Sequence, residues 1–342
     1  MNDTEIRNHS EASAATGGTV TIEPMHNLER YWQGLSGSAL KWDCLFMLPP
    51  WLGAWWSHFG RGPGTLVHVV RHNDSVLGLA PLVLLGETAR LVGDSELIDY
   101  SDLVVAPSRE MEFFSVLFDD LRNKGMRRFA LGRVRSDSTA LSFLRAYSAD
   151  LGCRVVCDSV DVFYEMELPD TWEGYLDLLS GKERHEIRRK LRRLESAGRI
   201  GLRTVVDKED VPEAMDTFIS LFRSNREEKA RFMTGDVESF FRSLAGRMAG
   251  AGLLRLFFLD LDDRPVATAM CFEHLSTFYL YNNGYDRSFD RLSVGLLCKA
   301  FSIKESIRLR GKRYNFLRGS ETYKGRLGGR PVSLLHCEVA LE

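Results

Sequence analysis

A cluster of charged and hydroxyl-bearing side chains follows a short apolar run near the C-terminus of the chain. The stretch "KRYNFLRGSETYKGRLGG" covers residues 312–329, and its apolar run is followed by Arg318, Glu321, Tyr323 and Lys324. A carboxylate can act as a general base, a phenol can donate a proton and an ammonium can stabilise negative charge. Together these residue types suit the transfer of an acyl group to an amine.

Acyl transfer to an amine requires a base for the ammonium proton, donors for the oxyanion and an acid for the leaving group. We assign these roles to Glu321 as base, Tyr323 as proton donor and Lys324 as electrostatic stabiliser, and we expect Arg318 to bind substrate. The alternative is a solvated turn whose Glu–Lys pair contributes less than about 1 kcal/mol. The position directly after a predicted buried strand favours the functional interpretation.

A predicted helix start lies upstream of this cluster, in "YLYNNGYDRSFDRLSVGLL". Helix N-termini carry unpaired N–H groups and a partial positive charge, which favour phosphate. Ser293 is expected to cap the helix, and Gly295 to let a ligand approach the backbone, although an ordinary capped helix has the same pattern. The predicted cofactor-binding residues are Arg287, Arg291, Ser293, Val294 and Gly295.

Two further segments could contact ligands. Tyr281 and Tyr285 are predicted to bind substrate beside a bulge or bend at residues 282–284, which would open a slot between neighbouring strands. A basic helix at 182–197 has an apolar stripe, so we expect it to lie on the core with its arginines and lysines outward. It is either a solvated face or a docking strip for an anionic donor or substrate.

The elements that position these residues occur twice along the chain. Each half reads as a hairpin, a third strand, a helix ending at glycine and a further strand; in the first half the third strand is "LIDYSDLVV" and the helix covers residues 110–123. The joints "RNKGMRRFALG" and "RLRGKRYNFLR" align directly. This self-similarity predicts two tandem α/β units, each with a mixed, mostly antiparallel sheet flanked by helices.

Length and composition fit that organisation. The 342 residues, with 44% hydrophobic residues and a net charge of -2, suggest two globular domains and argue against a general nucleic-acid or membrane-surface binder. We predict a disordered tail at 1–20, a first domain at 21–169 and a catalytic second domain at 170–342. A turn is expected at 60–64, and no transmembrane segment.

The cysteines and histidines show no metal-ligand or redox spacing. The six cysteines are scattered, and Cys153 and Cys157 are interpreted as small buried apolar residues. A reducing, cytoplasmic compartment fits this usage. We therefore predict no metal site.

Several of these stretches together resemble a known family. The segments "WLGAWWSHFG", "GLAPLVLL", "FRSNREEKARFM", "RPVATAMCF", "YLYNNGYDRSFDRLSVGLL" and "YNFLRGSETYKGRLG" resemble CelD/BcsL-type acetyltransferases, a branch of the GNAT superfamily with two GNAT folds in tandem. The chain is also similar to the Fem transferases, which add amino acids to peptidoglycan precursors. The resemblance covers about residues 40–330.

The resemblance implies an N-acyltransferase that uses acetyl-CoA or another acyl-CoA, with an acceptor amine on a small molecule, sugar or peptide. It also implies a link to exopolysaccharide, cellulose or cell-envelope biosynthesis, and a catalytic lysine at the position of Lys324. Val294 stands where the branch often has proline, and Leu327 where an aromatic residue is common. An aminoacyl-tRNA or carrier-protein donor, and a catalytically degenerate GNAT scaffold or regulator, are the alternatives. The oligomeric state is not indicated.

Overall fold

The structure, a computed structural model, describes residues 17–34, 40–60, 65–93 and 96–341. It divides into two compact units. Unit 1 takes its described residues from Met1–Gly53, Gly60–Val160 and Leu334–Glu342, and unit 2 from Ala54–Phe59 and Asp161–Ser333. The predicted domain boundary after residue 169 falls later than this division, and the predicted second domain includes the C-terminal segment that here lies in unit 1.

The strands, in chain order, are β1 (Gly18–Glu23), β2 (Thr65–His72), β3 (Ser75–Leu85), β4 (Thr88–Leu91), β5 (Val104–Val105), β6 (Arg128–Arg135), β7 (Cys153–Glu167), β8 (Ile200–Val205), β9 (Leu254–Leu261), β10 (Arg264–His274), β11 (Thr277–Tyr285), β12 (Arg313–Arg318) and β13 (Arg330–Leu341). In unit 1 the strand order is β1-β2-β3-β4-β6-β13, and in unit 2 it is β7-β12-β11-β10-β9-β8. Within these orders β4–β6 and β11–β12 pair in parallel.

The α-helices are α1 (Leu28–Trp32), α2 (Pro49–Phe59), α3 (Glu110–Asn123), α4 (Thr139–Ala146), α5 (Trp172–Leu178), α6 (Gly181–Glu195), α7 (Val211–Asn225), α8 (Glu227–Phe232), α9 (Gly235–Gly250), α10 (Val294–Arg308) and α11 (Thr322–Arg326). The basic helix predicted at 182–197 is α6, and the helix predicted at 110–123 is α3. The mixed, mostly antiparallel sheets with flanking helices confirm the predicted fold class.

The predicted third strand of the first half is wrong for most of its length. In "LIDYSDLVV" only Val104–Val105 pairs with β3, and the strand that runs parallel to β6 is β4. Polar side chains of this segment bond to the backbone instead. The Ser101 hydroxyl donates to the Leu131 carbonyl of β6, and the Asp102 carboxylate accepts from the neighbouring Leu103 N–H. The bond of Asp102 is of the local kind that competes with ladder formation.

Two other expectations concern the N-terminal third of the chain. The predicted tail at 1–20 is too long, because β1 begins at Gly18 and pairs with β2 over its whole length. Residues 1–16 lie outside the described part of the chain. The turn predicted at 60–64 also falls almost entirely outside it, since residues 61–64 are not described.

Cys157 is not an isolated apolar residue. It forms a disulfide with Cys337, and both residues belong to unit 1. The interpretation of Cys157 as a buried free cysteine is therefore wrong, whereas Cys153 is free and buried as expected. The prediction of a reducing compartment rested on unpaired cysteines, and this pair removes that support. No helix in the described ranges has the length and apolar character needed to cross a membrane.

Candidate functional site

The parallel strands β11 and β12 separate after a short pairing. Only three residues of each strand pair, from Thr277 with Arg313 to Tyr279 with Asn315, although β11 continues to Tyr285. Beyond this point β12 has an irregular register against β7, and Leu317 has a φ of 60°. The two strands therefore leave a gap at their carboxyl ends, which is where α/β folds bind ligands.

A β-bulge on β11 decides which way its tyrosines face. Met270 pairs with Asn282 and Cys271 with Leu280, so Tyr281 is the extra residue. The bulge predicted at 282–284 is thus present, one residue earlier. An inserted residue reverses the alternation of side chains beyond it. Tyr281 stacks on Phe241 of α9, with ring centroids 5.5 Å apart, whereas Tyr285 turns toward α10.

The predicted substrate pair is therefore split. A Cβ on Gly295 would lie 2.5 Å from the Tyr285 ring, so the tyrosine covers the first turn of α10. Tyr281 lies on the opposite face of β11, among the aromatic side chains of α9. The expectation that Gly295 leaves room for a ligand is not met at its Cβ position, because the Tyr285 ring occupies that space.

The C-terminal part of α7 and the start of α8 lie against the end of β11. A Cβ on Gly284 would lie 2.5–2.6 Å from the backbone of Leu221 and Phe222, so the two backbones touch here. From α8, the Lys229 ammonium donates to the Asn283 carbonyl and lies 4.6 Å from the centroid of the Phe222 ring. These contacts hold the start of α8 beside the gap.

The start of α10 is built differently from the prediction. Ser293 is the N-cap residue of α10 as predicted, but its backbone is left-handed (φ 59°) and its side chain makes no capping bond. Instead the hydroxyl accepts from the Lys190 ammonium of α6 at 3.1 Å. Also from α6, Arg193 donates to the Arg291 carbonyl at 3.0 Å. The basic helix is thus attached to the loop that leads into α10.

The remaining residues of that loop are mostly exposed. The Arg287 side chain is exposed, and its guanidinium lies 3.9 Å from the Asp290 carboxylate. Val294 is fully buried, so only its backbone could reach a ligand. The first N–H groups of a helix have no acceptor one turn earlier in the helix. With the cations of Lys190 and Arg287 near them, these groups of α10 can receive an anion such as a diphosphate.

Lys324 is held as a structural residue. It is 1% exposed, and its ammonium donates to the carbonyls of Leu317 (3.0 Å), Arg318 and Gly319 (3.1 Å). It also lies 2.9 Å from the Glu321 carboxylate. An ammonium has three hydrogens, so these partners satisfy it completely. Lys324 fixes the turn that carries Glu321, and that carboxylate is itself largely exposed.

Lys299, which the sequence analysis did not single out, connects α10 with α11. Its ammonium donates to the Gly295 carbonyl at 3.0 Å and lies 4.6 Å from the centroid of the Tyr323 ring. Burial lowers the pKa of Lys299 to about 8. The first turn of α10 and the helix of Tyr323 and Lys324 therefore meet at Lys299.

Tyr323 and Lys229 are the other two buried ionisable side chains near Lys299. Burial raises the pKa of the Tyr323 phenol, so the phenol stays protonated and can donate. Burial, with the nearby charge of Lys299, lowers the pKa of Lys229 to about 7. A single lysine within the apolar run "GLLCKAF" was a usable signal for Lys299. Lys229 lies among charged residues in "NREEKARF", and nothing local marks it.

The described residues contain no group of three or more His, Cys, Asp or Glu side chains that could hold a metal ion. What the site offers is a helix start with adjacent cations, a gap between strands, and a cluster of ionisable groups at the end of that gap. This combination can hold an anionic carrier and place its acyl end beside a base and a proton donor.

Comparison with known proteins supports this interpretation of the fold. Residues 181–325 match the family model of the acetyltransferase (GNAT) domain. A search of curated proteins found no match. A crystal structure of FemX has a TM-score of 0.64 at 13% identity, with 94% of this chain and 96% of that chain covered. A Bacteroides thetaiotaomicron protein of unknown function has a TM-score of 0.62 at 13% identity, with 94% and 100% covered.

The two structural matches establish the fold alone, because their sequences are so distant. They extend over both units, and the family model covers most of unit 2. The predicted fold class of two tandem α/β units is confirmed, and residues 181–325 of unit 2 match the acetyltransferase (GNAT) domain. The CelD/BcsL assignment remains a prediction.

Proposed function

We propose that unit 2 is an N-acyltransferase that moves an acyl group, acetyl in the simplest case, from acyl-CoA to a primary amine. The observation that carries the proposal is the gap between β11 and β12. Of the two strands that border it, β11 leads to the start of α10 and β12 leads to Glu321 and Tyr323, and Lys299 of α10 lies over the Tyr323 ring.

The residues present fit acyl-CoA. The N-terminal turn of α10, with Lys190 and Arg287, would hold the diphosphate, and the gap would hold the pantetheine arm. When bound, acyl-CoA supplies a thioester whose carbonyl carbon accepts the amine and whose thiolate leaves. A direct attack suits the site, because the described free cysteines are buried and burial raises the thiol pKa of Cys44, Cys271 and Cys298 to about 12.

Each polar group at the end of the gap then has a role. Glu321 accepts one proton from the acceptor ammonium, directly or through water, so that the free amine can attack. Tyr323 donates its phenolic proton to the leaving thiolate and recovers a proton from the nitrogen as the amide forms. Lys299 stabilises the negative charge that develops on the carbonyl oxygen. We reassign Lys324 from this electrostatic role to positioning, because its three hydrogens are already committed. Arg318 contributes its carbonyl to Lys324, and the role of its side chain in substrate binding stays a prediction.

The test combines donor binding with turnover. Calorimetry should show saturable CoA binding, and acyl transfer from acetyl-CoA to a panel of amines should be detectable by mass spectrometry. Glu321→Gln should lower kcat by about 10²-fold or more while the CoA affinity stays unchanged. Glu305→Gln is the control, because Glu305 is a carboxylate of α10 that forms an ion pair with Arg308. No saturable CoA binding at millimolar concentration, or a fully active Glu321→Gln variant, would refute the proposal.

One observation favours a second donor. Since α6 is bonded to the loop before α10 through Lys190 and Arg193, its outward arginines lie beside the proposed donor site. An aminoacyl-tRNA could use that basic surface, and its binding would then weaken steeply with salt. Activity that needs aminoacyl-tRNA and is lost after ribonuclease treatment would favour this donor over acyl-CoA. The link to exopolysaccharide or cell-envelope synthesis remains a prediction from the resemblance.

A further inference from the structure

A polar cleft of about 380 Å³ lies beside the donor site in unit 2. Its walls come from the α7–α8 junction, the end of β11 and the loop before α10, and they comprise Asn225, Arg226, Glu227, Glu228, Tyr285, Arg287 and Asp290. Because Tyr285 also covers Gly295, the cleft adjoins the first turn of α10. Arg226 in its wall also acts electrostatically on Lys299, so a ligand in the cleft would lie close to the proposed catalytic groups.

The cleft contains an unsatisfied buried acceptor. Asn225 is 4% exposed, and its Oδ1 has no hydrogen-bond partner. A buried carbonyl oxygen without a donor is destabilising, because it has lost its bonds to water. A ligand N–H or O–H would satisfy it once the Asn225 side chain turns toward the cleft. Asn225 therefore indicates a ligand that donates hydrogen bonds at this wall.

The charges of the cleft are of both signs, and two of them are uncommitted. Asp290 accepts from the Tyr285 hydroxyl, and Glu227 pairs with Arg231 at 3.0 Å. In the described part of the chain, neither Arg226 nor Glu228 has an ion-pair partner within 4.0 Å. The two opposite charges line one cleft without neutralising each other, which leaves both for a ligand.

This charge pattern is unsuited to a diphosphate. With Arg287 assigned to the donor, three carboxylates and one guanidinium remain in the cleft, so a second dianion would face a net negative wall. A ligand with one ammonium and one anionic group matches it better, with the ammonium at Glu228 and Asn225 and the anion at Arg226. Among the described residues, the Lys229 ammonium makes one hydrogen bond, to the Asn283 carbonyl, and it lies close to Arg226. It therefore adds positive charge on the anion side.

We infer that the acceptor of the transferase is a zwitterionic amine, an amino acid or a peptide end that carries a carboxylate near its reactive nitrogen. The inference rests on the proposed function and narrows its acceptor. An amino sugar without an acid group would leave Arg226 unpaired, and a carboxylate without an amine would leave Asn225 and Glu228 unsatisfied.

The test compares amines that differ only in the carboxylate. L-lysine with cadaverine, and L-ornithine with putrescine, are titrated into the full-length protein in the presence of CoA, with glucosamine as a neutral amine. We expect the amino acid of at least one pair to bind about 10-fold tighter than its decarboxylated partner, and glucosamine to bind weakly. Arg226→Gln should reduce that ratio to below about 3-fold, whereas Arg310→Gln, at the far end of α10, should preserve it.

Asn225→Leu separates binding from folding. Because the Asn225 Oδ1 has no partner, the variant should be at least as stable as the parent protein and should bind every amine of the panel more weakly. Three results would overturn the inference. They are equal affinity for both members of each pair, tighter binding of glucosamine than of either amino acid, and no binding of either amino acid at about 10 mM. CoA binding and acetyl transfer are measured separately, so a protein that binds CoA but fails these comparisons refutes the acceptor class and not the transferase.

Discussion

Three lysines surround the proposed site, and their hydrogen-bond partners distinguish their roles. Lys324 has three carbonyls and a carboxylate, whereas Lys299 and Lys229 each donate to one carbonyl. Burial without enough partners disfavours a charged lysine and lowers its pKa. A lysine that has N–H groups without acceptors and a lowered pKa can take part in a reaction. A lysine whose N–H groups are all bonded to the protein stabilises the fold.

Replacing Lys324 should therefore destabilise the protein. Lys324→Met leaves three carbonyls and the Glu321 carboxylate without their donor, and we expect a loss of about 3 kcal/mol in the free energy of unfolding. Lys312→Met, which removes an exposed lysine 3.7 Å from Asp170, should change stability by less than about 0.5 kcal/mol. Chemical denaturation of both variants tests this, and equal stability of the two would show that the Lys324 bonds contribute little.

Lys299→Met should have the opposite effect on stability. The pKa of Lys299 is about 8 in the folded protein and 10.5 in a model compound, so below pH 8 the folded state carries a buried charge. One pKa unit corresponds to about 1.4 kcal/mol, so the buried charge costs about 3 kcal/mol at pH 7 and the variant should be more stable by up to that amount. Its advantage should shrink as the pH rises from 8 toward 10.5, because the wild-type lysine then loses its proton on folding.

Unfolding curves at pH 7 and pH 10 measure this difference, and acyl transfer should fall in the same variant. The groups that act on Lys299 are Cys298, Glu321, Arg226 and Cys271, and Cys298→Ala serves as a control for packing beside it. A stability difference that does not change with pH would show that desolvation of the charge is not its source.

Among the elements, the contact between α7 and β11 determines where the cleft lies. Gly284 lets the backbone of α7 touch the strand, and one residue earlier Lys229 binds the Asn283 carbonyl. The bulge at Tyr281 then directs Tyr285 to α10. A strand that is bulged and closely approached on one face can present two ligand-binding surfaces within a few residues.

Gly284→Ala should displace that contact. The new methyl group would lie 2.5–2.6 Å from backbone atoms of Leu221 and Phe222, which cannot rotate away. We expect destabilisation of about 2 kcal/mol or more and weaker binding of amines in the cleft. Gly246→Ala is the matched control. A Cβ at Gly246, inside α9, meets nothing within 4 Å, so this variant should gain about 0.5–1 kcal/mol. Similar stability of both variants would contradict the contact.

In the molecule as a whole, two features depart from a simple repeat of two units. They are the path of the C-terminal segment and the disulfide that this segment forms. The C-terminal segment Leu334–Glu342 belongs to unit 1, where β13 pairs with β6, and Cys337 in this segment is bonded to Cys157. The second half of the chain thus completes the sheet of the first unit. Such a link between residues far apart in sequence restricts the unfolded chain.

Reduction of the disulfide should destabilise the protein. The two cysteines are 180 positions apart, and for so large a loop we expect a loss of up to about 4 kcal/mol. Denaturation with and without reductant measures it, and the effect of reductant should disappear in Cys157→Ser. Thiol titration of the unreduced, unfolded protein should find four reactive cysteines, and six would show that the bond does not form.

The sequence predicted an element correctly where the spacing of its apolar residues and a termination signal, such as a glycine after a helix, indicated the same element. The helix at 110–123 has an apolar stripe and a glycine after its end, and it forms as predicted. The repeated joints around Gly125 and Gly311 identified the duplication. The strand prediction for "LIDYSDLVV" failed because alternation does not show the side-chain bonds of Ser101 to the distant Leu131 carbonyl and of Asp102 to the neighbouring Leu103 N–H.

The sequence by itself determined the tandem α/β architecture, the stretch from Arg318 to Lys324 and the helix that begins beside Ser293, because these depend on local periodicity and on residue type. Only the tertiary structure decided what each side chain does there. A bulge of one residue separates Tyr281 from Tyr285, three carbonyls occupy Lys324, and burial makes Lys299 and Asn225 candidates for function. Partners and burial come from residues distant in the chain, so no local pattern contains them.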